Sequence, residues 1–187
     1  ARRRFGLAMA LIALSMFNIL ALLLFFNIYA QADDGLRLSP VRAGLSLVPL
    51  SAALFVLARL VPRVVKRIGL GRTMVAGSMV TAAGAIAIDR ALASDAPWAL
   101  GLAFIMMGAG LALPYASAPR LGLSALTATE TAKGSGMLNA SSFLGGTIGV
   151  TAGGIAYGIH GIDGALATVA IAGLLAAVLS CLVPHEP

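Results

Sequence analysis

Charge is scarce in this chain. Of its 187 residues only 11% are acidic or basic and 59% are hydrophobic, with a mean hydropathy of +0.96. A water-soluble domain carries about 25% charged and about 45–50% apolar residues. A soluble globular fold is therefore excluded, and a bilayer is the expected solvent. Cysteine is limited to Cys181, which excludes an internal disulfide and a cysteine-built metal cluster. The Gly-rich stretches lack the Gly-Lys-Ser/Thr of a phosphate loop. His160 and Asp163 lack a third partner, and His185 stands in the tail, so no catalytic constellation is present. Neither an enzyme activity nor a metal or cofactor is expected. No Asp or Glu stands in the middle of any apolar run. Buried carboxylates are the usual proton relays of membrane proteins, so these runs offer no candidate for that role.

What is present is a set of long apolar runs punctuated by cations. Pro62–Arg72 holds Arg63, Lys66, Arg67 and Arg72 between two such runs. Each cation would cost roughly 2.5–3.5 kcal/mol in hydrocarbon, so this hinge must lie in water. The net charge of +6 and pI of 10.5 fit membrane orientation rather than a nucleic-acid partner, because the cations are not interleaved with aromatics.

The hydropathy pattern predicts an all-α polytopic membrane protein with six transmembrane helices, over about residues 5–30, 40–61, 73–93, 96–118, 128–159 and 164–183. Pro40 stands where a helix start tolerates it, and Arg42 and Arg59 are placed to snorkel. Gly77, Thr81 and Gly84 share one face of the third span. Asp95 is expected to cap the fourth, with Pro97 in its first turn and Trp98 at the interface. Thr127–Glu130 reads as a capping box that starts the fifth near Ala128. Asp163 is expected to cap the sixth, which Pro184 stops. Six passes put both termini on the side of the hinge. Arg2, Arg3, Arg4, Arg59, Arg63, Lys66, Arg67, Arg72, Arg120 and Lys133 then fall on that side, ten of thirteen cations. Excess Lys/Arg marks it as cytoplasmic, giving a multi-pass protein of the cell (inner) membrane.

The first residues, Ala1-Arg2-Arg3-Arg4, lack a Met and read as the start of a segment cut from something longer. Arg-Arg-x-Phe and Ala30-Gln31-Ala32 imitate an export signal with a cleavage site. The apolar run between them is far longer than the roughly 7–15-residue core of a signal peptide.

Gly145, Gly149 and Gly153 recur every four residues in the fifth span, with Gly154 and Gly158 on a neighbouring strip, a spacing that lets another helix approach closely. A short likeness between Ala43–Pro49 and Ala109–Pro114 reads as chance. An inverted three-plus-three repeat would relate the first and fourth spans instead.

Taken in order, these residues resemble a family. The carrying pieces are Leu38-Ser39-Pro40, Ala43-Gly44-Leu45 and Pro49, then the hinge, then Gly108-Ala109-Gly110-Leu111-Ala112-Leu113-Pro114. Gly134-Ser135-Gly136-Met137-Leu138-Asn139, Gly145-Gly146 and Gly149 complete the series. Together they resemble the C-terminal half of major facilitator superfamily transporters, most of all the fourteen-helix drug:proton antiporters, over essentially the whole chain. Arg67, Gly69 and Arg72 match the family's cytoplasmic loop motif. Pro62 and Lys66 stand where the family has Gly and an acid, so that acid's part in a gating charge relay is not carried over. Ser142-Phe143 replaces the Arg-Gln often found after the Asn of the fifth span.

The resemblance implies one half-bundle of a 3+3 inverted-repeat fold. It further implies a missing N-terminal transmembrane half as partner, and proton-coupled efflux of lipophilic or amphipathic small molecules by alternating access. Asn18, Ser46, Tyr115, Asn139 and Ser142 are the mid-span polar candidates for the substrate cavity, with Phe25, Met106, Met107 and Phe143 as apolar wall. The first, second, fourth and fifth spans are expected to face that cavity, the third and sixth to face lipid. The alternatives are a stand-alone six-span scaffold or assembly subunit, and a homodimeric half-transporter.

Overall fold

The computed structural model describes residues 2–94, 96–124, 126–127 and 129–183. Among them all regular structure is helical: α1 (Arg2–Gln31), α2 (Pro40–Ser46), α3 (Val48–Ile68), α4 (Leu70–Leu92), α5 (Pro97–Leu123) and α6 (Thr131–Cys181). With α2 and α3 taken as one run, five helices are long and apolar enough to cross a membrane. The chain is a multi-pass membrane protein.

The second expected span differs at both ends. At its start, Pro49 has no N–H to offer the preceding turn, and the helix changes over at Leu47. The Leu47 N–H instead reaches back to the Gly44 carbonyl at 3.2 Å, and Ser51 N–H resumes the ladder on Leu47 at 3.1 Å. At its end, the helix does not stop at Val61. It runs through Pro62 to Ile68, because a proline removes one ladder bond and the fully buried Val61 holds the segment in place. The basic hinge therefore shrinks to one residue, Gly69, whose φ of 86° and ψ of 159° suit glycine alone.

Other boundaries move too. α5 continues past Ala118 to Leu123, through Pro114 and Pro119, and its N-cap Ala96 makes no side-chain bond. The expected cap Asp95 lies outside the described residues, as do Ala128 and the expected stop Pro184. α6 starts at Thr131 rather than 128. Thr127 and Glu130 pair just ahead of it. There the Glu130 carboxylate accepts from the Thr127 N–H at 3.2 Å and from its hydroxyl at 2.7 Å.

Fifty-one residues of straight helix would measure about 77 Å, more than twice a hydrocarbon core of roughly 30 Å. α6 breaks instead at Gly161, where φ is 64° and ψ −148°. The chain doubles back there: a Cβ on Gly164 would run into the carbonyl of Ala156, eight residues earlier. Helical geometry resumes at once, so Asp163 stands inside the second arm, not at its cap. The first arm (131–160) lies parallel to α1, and the second (162–181) antiparallel to α4.

Close pairs fix these directions. Phe26 packs edge-on against Phe104 at one end of the α1–α5 pair, and Ala8 meets Gly122 at the other, so the two run antiparallel. Gly84 against Met107, Gly110 against Thr81 and Gly77 against Leu113 do the same for α4 and α5. Gly71 by Val183 and Gly173 by Ala82 set α4 against the second arm. Apolar side chains fill two core clusters. One joins Phe26, Leu47, Leu50, Ile88, Phe104 and Leu166, and the other Leu11, Met74, Leu121, Leu138 and Val183.

Candidate transport face

The helix packing makes two layers. The first arm of α6, α1, α5 and α3 stand side by side in that order, while α4 and the second arm of α6 back them. α3 closes the row at one edge, and only Leu50 and Val61 of its residues are buried. The side of the row away from this backing is open, and exposed on the row are Leu24 and Ile28 of α1, Phe55 and Val56 of α3, and Phe143 of α6.

The seam between α1 and the first arm follows from the glycine spacing. Gly145 meets the backbone of Ala13. A Cβ on Gly149 would lie 2.6 Å from the Phe17 carbonyl oxygen, and one on Gly153 2.7 Å from the Phe25 ring. These glycines let α1 approach until backbones touch. Ser141 adds a hydrogen bond across the seam, its hydroxyl donating to the Met9 carbonyl at 2.8 Å. Phe25 and Tyr157 close it with rings 5.4 Å apart.

The nine cavity candidates divide. Asn18, Phe25, Met107 and Ser142 are buried inside the bundle. Asn18 is 2% exposed and its Oδ1 has no hydrogen-bond partner, a condition shared by the Oγ atoms of Ser78 and Ser117. Met107 is held where Gly84 of α4 leaves room for its backbone. Ser46, Met106 and Tyr115 are partly covered, the Ser46 hydroxyl being satisfied by the Ala43 carbonyl at 2.7 Å. Asn139 is exposed and Phe143 is 64% exposed, so these two look outward from the first arm. The structure thus does not gather the nine into one site. α1 is apolar on every side, so its sequence gave no sign of which face turns inward.

Two outward-looking amides had not been singled out. On the last two turns of α1, Gln31 Nε2 donates to Asn27 Oδ1 at 2.7 Å and to the Asn27 carbonyl at 3.2 Å. Their spacing of four residues was the readable signal.

Charge is segregated along the bundle axis. Arg2–Arg4 open α1, and Arg63, Lys66, Arg67 and Arg72 flank Gly69. Arg120 and Lys133 lie beside the α5–α6 connection. The alternating helix directions bring all of these to one end, around the Leu11–Met74–Val183 cluster. Asp33, Asp34, Asp89 and Asp163 lie at the other. Arg59 sits one turn further in, its guanidinium 4.4 Å above the Phe55 ring.

No protein-family model and no curated protein matches the sequence. Solved structures do match. One, an in meso crystal structure of the POT family transporter PepTSo, superposes with a TM-score of 0.77 at 15% sequence identity. The likeness shows that this chain shares the fold of the part of that transporter chain on which it superposes. The superposition covers 99% of this chain and 39% of the transporter chain it matches. The chain thus spans well under half the length of that transporter chain.

Proposed function

We propose that this chain is the C-terminal six-pass half of a major facilitator transporter that exports lipophilic or amphipathic small molecules in exchange for protons. The observation that carries the reading is the near-complete superposition of this chain on well under half of a transporter chain. Counting the two arms of α6 separately, with α2 and α3 as one run, gives six alternating passes. The segregated cations support placing both termini in the cytoplasm and the chain in the inner membrane. The resemblance of Leu38–Pro49, Arg67–Arg72 and Gly108–Pro114 to drug:proton antiporters supports export.

In this reading the open side of the row faces an N-terminal six-helix bundle, and substrate sits between the two near the membrane midplane. Transport follows from rocking of one bundle against the other. This half supplies wall and contacts through Ser46, Tyr115, Asn139 and Phe143, while Met106 lines a groove between α4 and α5. Asn18, Phe25, Met107 and Ser142 act behind them as packing. No carboxylate here lies mid-span, so the proton-carrying groups belong to the other half.

The test uses the full-length protein containing this chain, reconstituted in proteoliposomes with an imposed pH gradient. Gradient-driven movement of tetraphenylphosphonium, ethidium or chloramphenicol is expected, and movement of none of them would overturn the reading. Asn139→Ala and Phe143→Ala should change the relative rates among these compounds. Asn18→Leu should leave them unchanged, since Asn18 is buried inside the bundle behind the open side.

A further inference from the structure

A groove on the open side of the row lies between α1 and the first arm of α6. It measures about 760 Å³ and is walled by Leu20, Leu24 and Ile28 of α1 and Val150 of α6. Among the described residues its polar side chains are those of Asn27 and Gln31. Those two amides are already joined, and the way they are joined decides what remains. Gln31 spends its Nε2 group on Asn27, donating both to Oδ1 and to the main-chain carbonyl. Left over are the two N–H donors of Asn27 Nδ2 and the acceptor Oε1 of Gln31. A donor and an acceptor side by side, held by an intrahelical pair, complement a group that both accepts and donates. A hydroxyl and a carboxamide are such groups.

The walls argue against a charged ligand. Among the described residues no ionisable side chain lines the groove. A cation or anion placed there would lose hydration with nothing to pair against. We propose that Asn27 and Gln31 are the polar recognition element of a ligand groove that takes a neutral, mainly apolar molecule presenting a hydroxyl or carboxamide. The inference rests on the transporter reading, because that reading is what turns this side of the row toward a cavity rather than toward lipid. The two amides act as specificity residues: the apolar walls supply affinity without discrimination, and the amide pair selects among ligands of similar size. A partner lacking the matching group leaves both amides unpaired, which is how hydrogen-bonding sites reject analogues.

Two probes test this in the full-length protein in proteoliposomes. Chloramphenicol is neutral and carries hydroxyls and an amide; tetraphenylphosphonium has no hydrogen-bonding group. The variant Asn27→Leu/Gln31→Leu should raise the apparent KM for chloramphenicol about tenfold, the value of roughly one hydrogen bond, and leave tetraphenylphosphonium unchanged. Size-exclusion chromatography checks folding. If the double variant is not monodisperse, Asn27→Ala takes its place. Unchanged chloramphenicol transport overturns the inference, and so does an equal loss of both probes in a monodisperse protein. Wild-type protein that moves tetraphenylphosphonium but not chloramphenicol overturns the inference and leaves the transporter reading standing. Wild-type protein that moves neither, nor ethidium, removes both.

Discussion

The hydroxyl of Ser141 and the carbonyl of Met9, 132 residues apart in sequence, meet at 2.8 Å across the seam between α6 and α1. In a bilayer the interhelical bond is one of the few directional forces available, since lipid tails and leucine side chains are equally apolar. Its measured worth in such settings averages about 0.6 kcal/mol. Ser141→Ala should therefore lower thermal stability only slightly. Gly149→Leu should be far worse, because its Cβ alone would stand 2.6 Å from the Phe17 carbonyl. Thermal unfolding in detergent is expected to rank the two variants in that order, and the reverse ranking would assign the seam to the hydrogen bond rather than to close packing.

Gly161 makes the turn that folds α6 back on itself. With φ at 64° and ψ at −148° it lies in a region essentially reserved for glycine, where another residue costs on the order of 1–3 kcal/mol. Space is not the obstacle, as nothing stands within 4 Å of an added Cβ. Gly161→Ala should thus lower the unfolding temperature through backbone strain alone. Asn, which tolerates the ordinary left-handed region, should give no rescue, because this ψ lies outside it.

The turn ahead of α6 is sensitive to acid. The Thr127 hydroxyl and then its main-chain N–H hold the Glu130 carboxyl below its ordinary value of 4.5. A folded-state value below the unfolded one means that the contribution is present above about pH 4.5 and disappears as pH falls through the lower, folded value. Amide hydrogen exchange at Thr131–Gly134, corrected for its intrinsic dependence on pH, should accelerate in that acid window in the wild type. Glu130→Gln, which cannot titrate, should show no such acceleration.

What could be read before the structure was known follows from where physics leaves marks in a sequence. Hydrocarbon thickness imposes run length, so the apolar helices and their cationic ends were legible. The spacing of Gly145, Gly149 and Gly153 marked a close helix approach, although only the fold could say that α1 is the neighbour. The ends expected at Val61 and Ala118 fell short. Pro62 and Pro119, the next residues, lie inside helices that continue past them, because neighbouring packing holds a segment together after one ladder bond is lost. Cavity residues were the least legible. The face of α1 that bears Asn18 and the one that bears Asn27 are equally apolar, and only contact with α5 on one side and open space on the other separates them.

The doubling-back of α6 and the charge segregation together make a prediction about sidedness. In the full-length protein with its native Cys181 replaced by serine, single cysteines can be introduced at Lys66, Asp34 and His160 and labelled in intact cells with a membrane-impermeant maleimide. Six alternating passes place Asp34 and His160 on one side, because α1 and the first arm of α6 run parallel, and Lys66 on the other. Asp34→Cys and His160→Cys should react from outside, and Lys66→Cys only after the membrane is opened. Labelling of Lys66→Cys alone would keep the fold and invert its orientation, overturning the assignment of the cation-rich end to the cytoplasm. Reaction of Asp34→Cys and His160→Cys from opposite sides would contradict the parallel run of α1 and the first arm, and with it the six-pass arrangement.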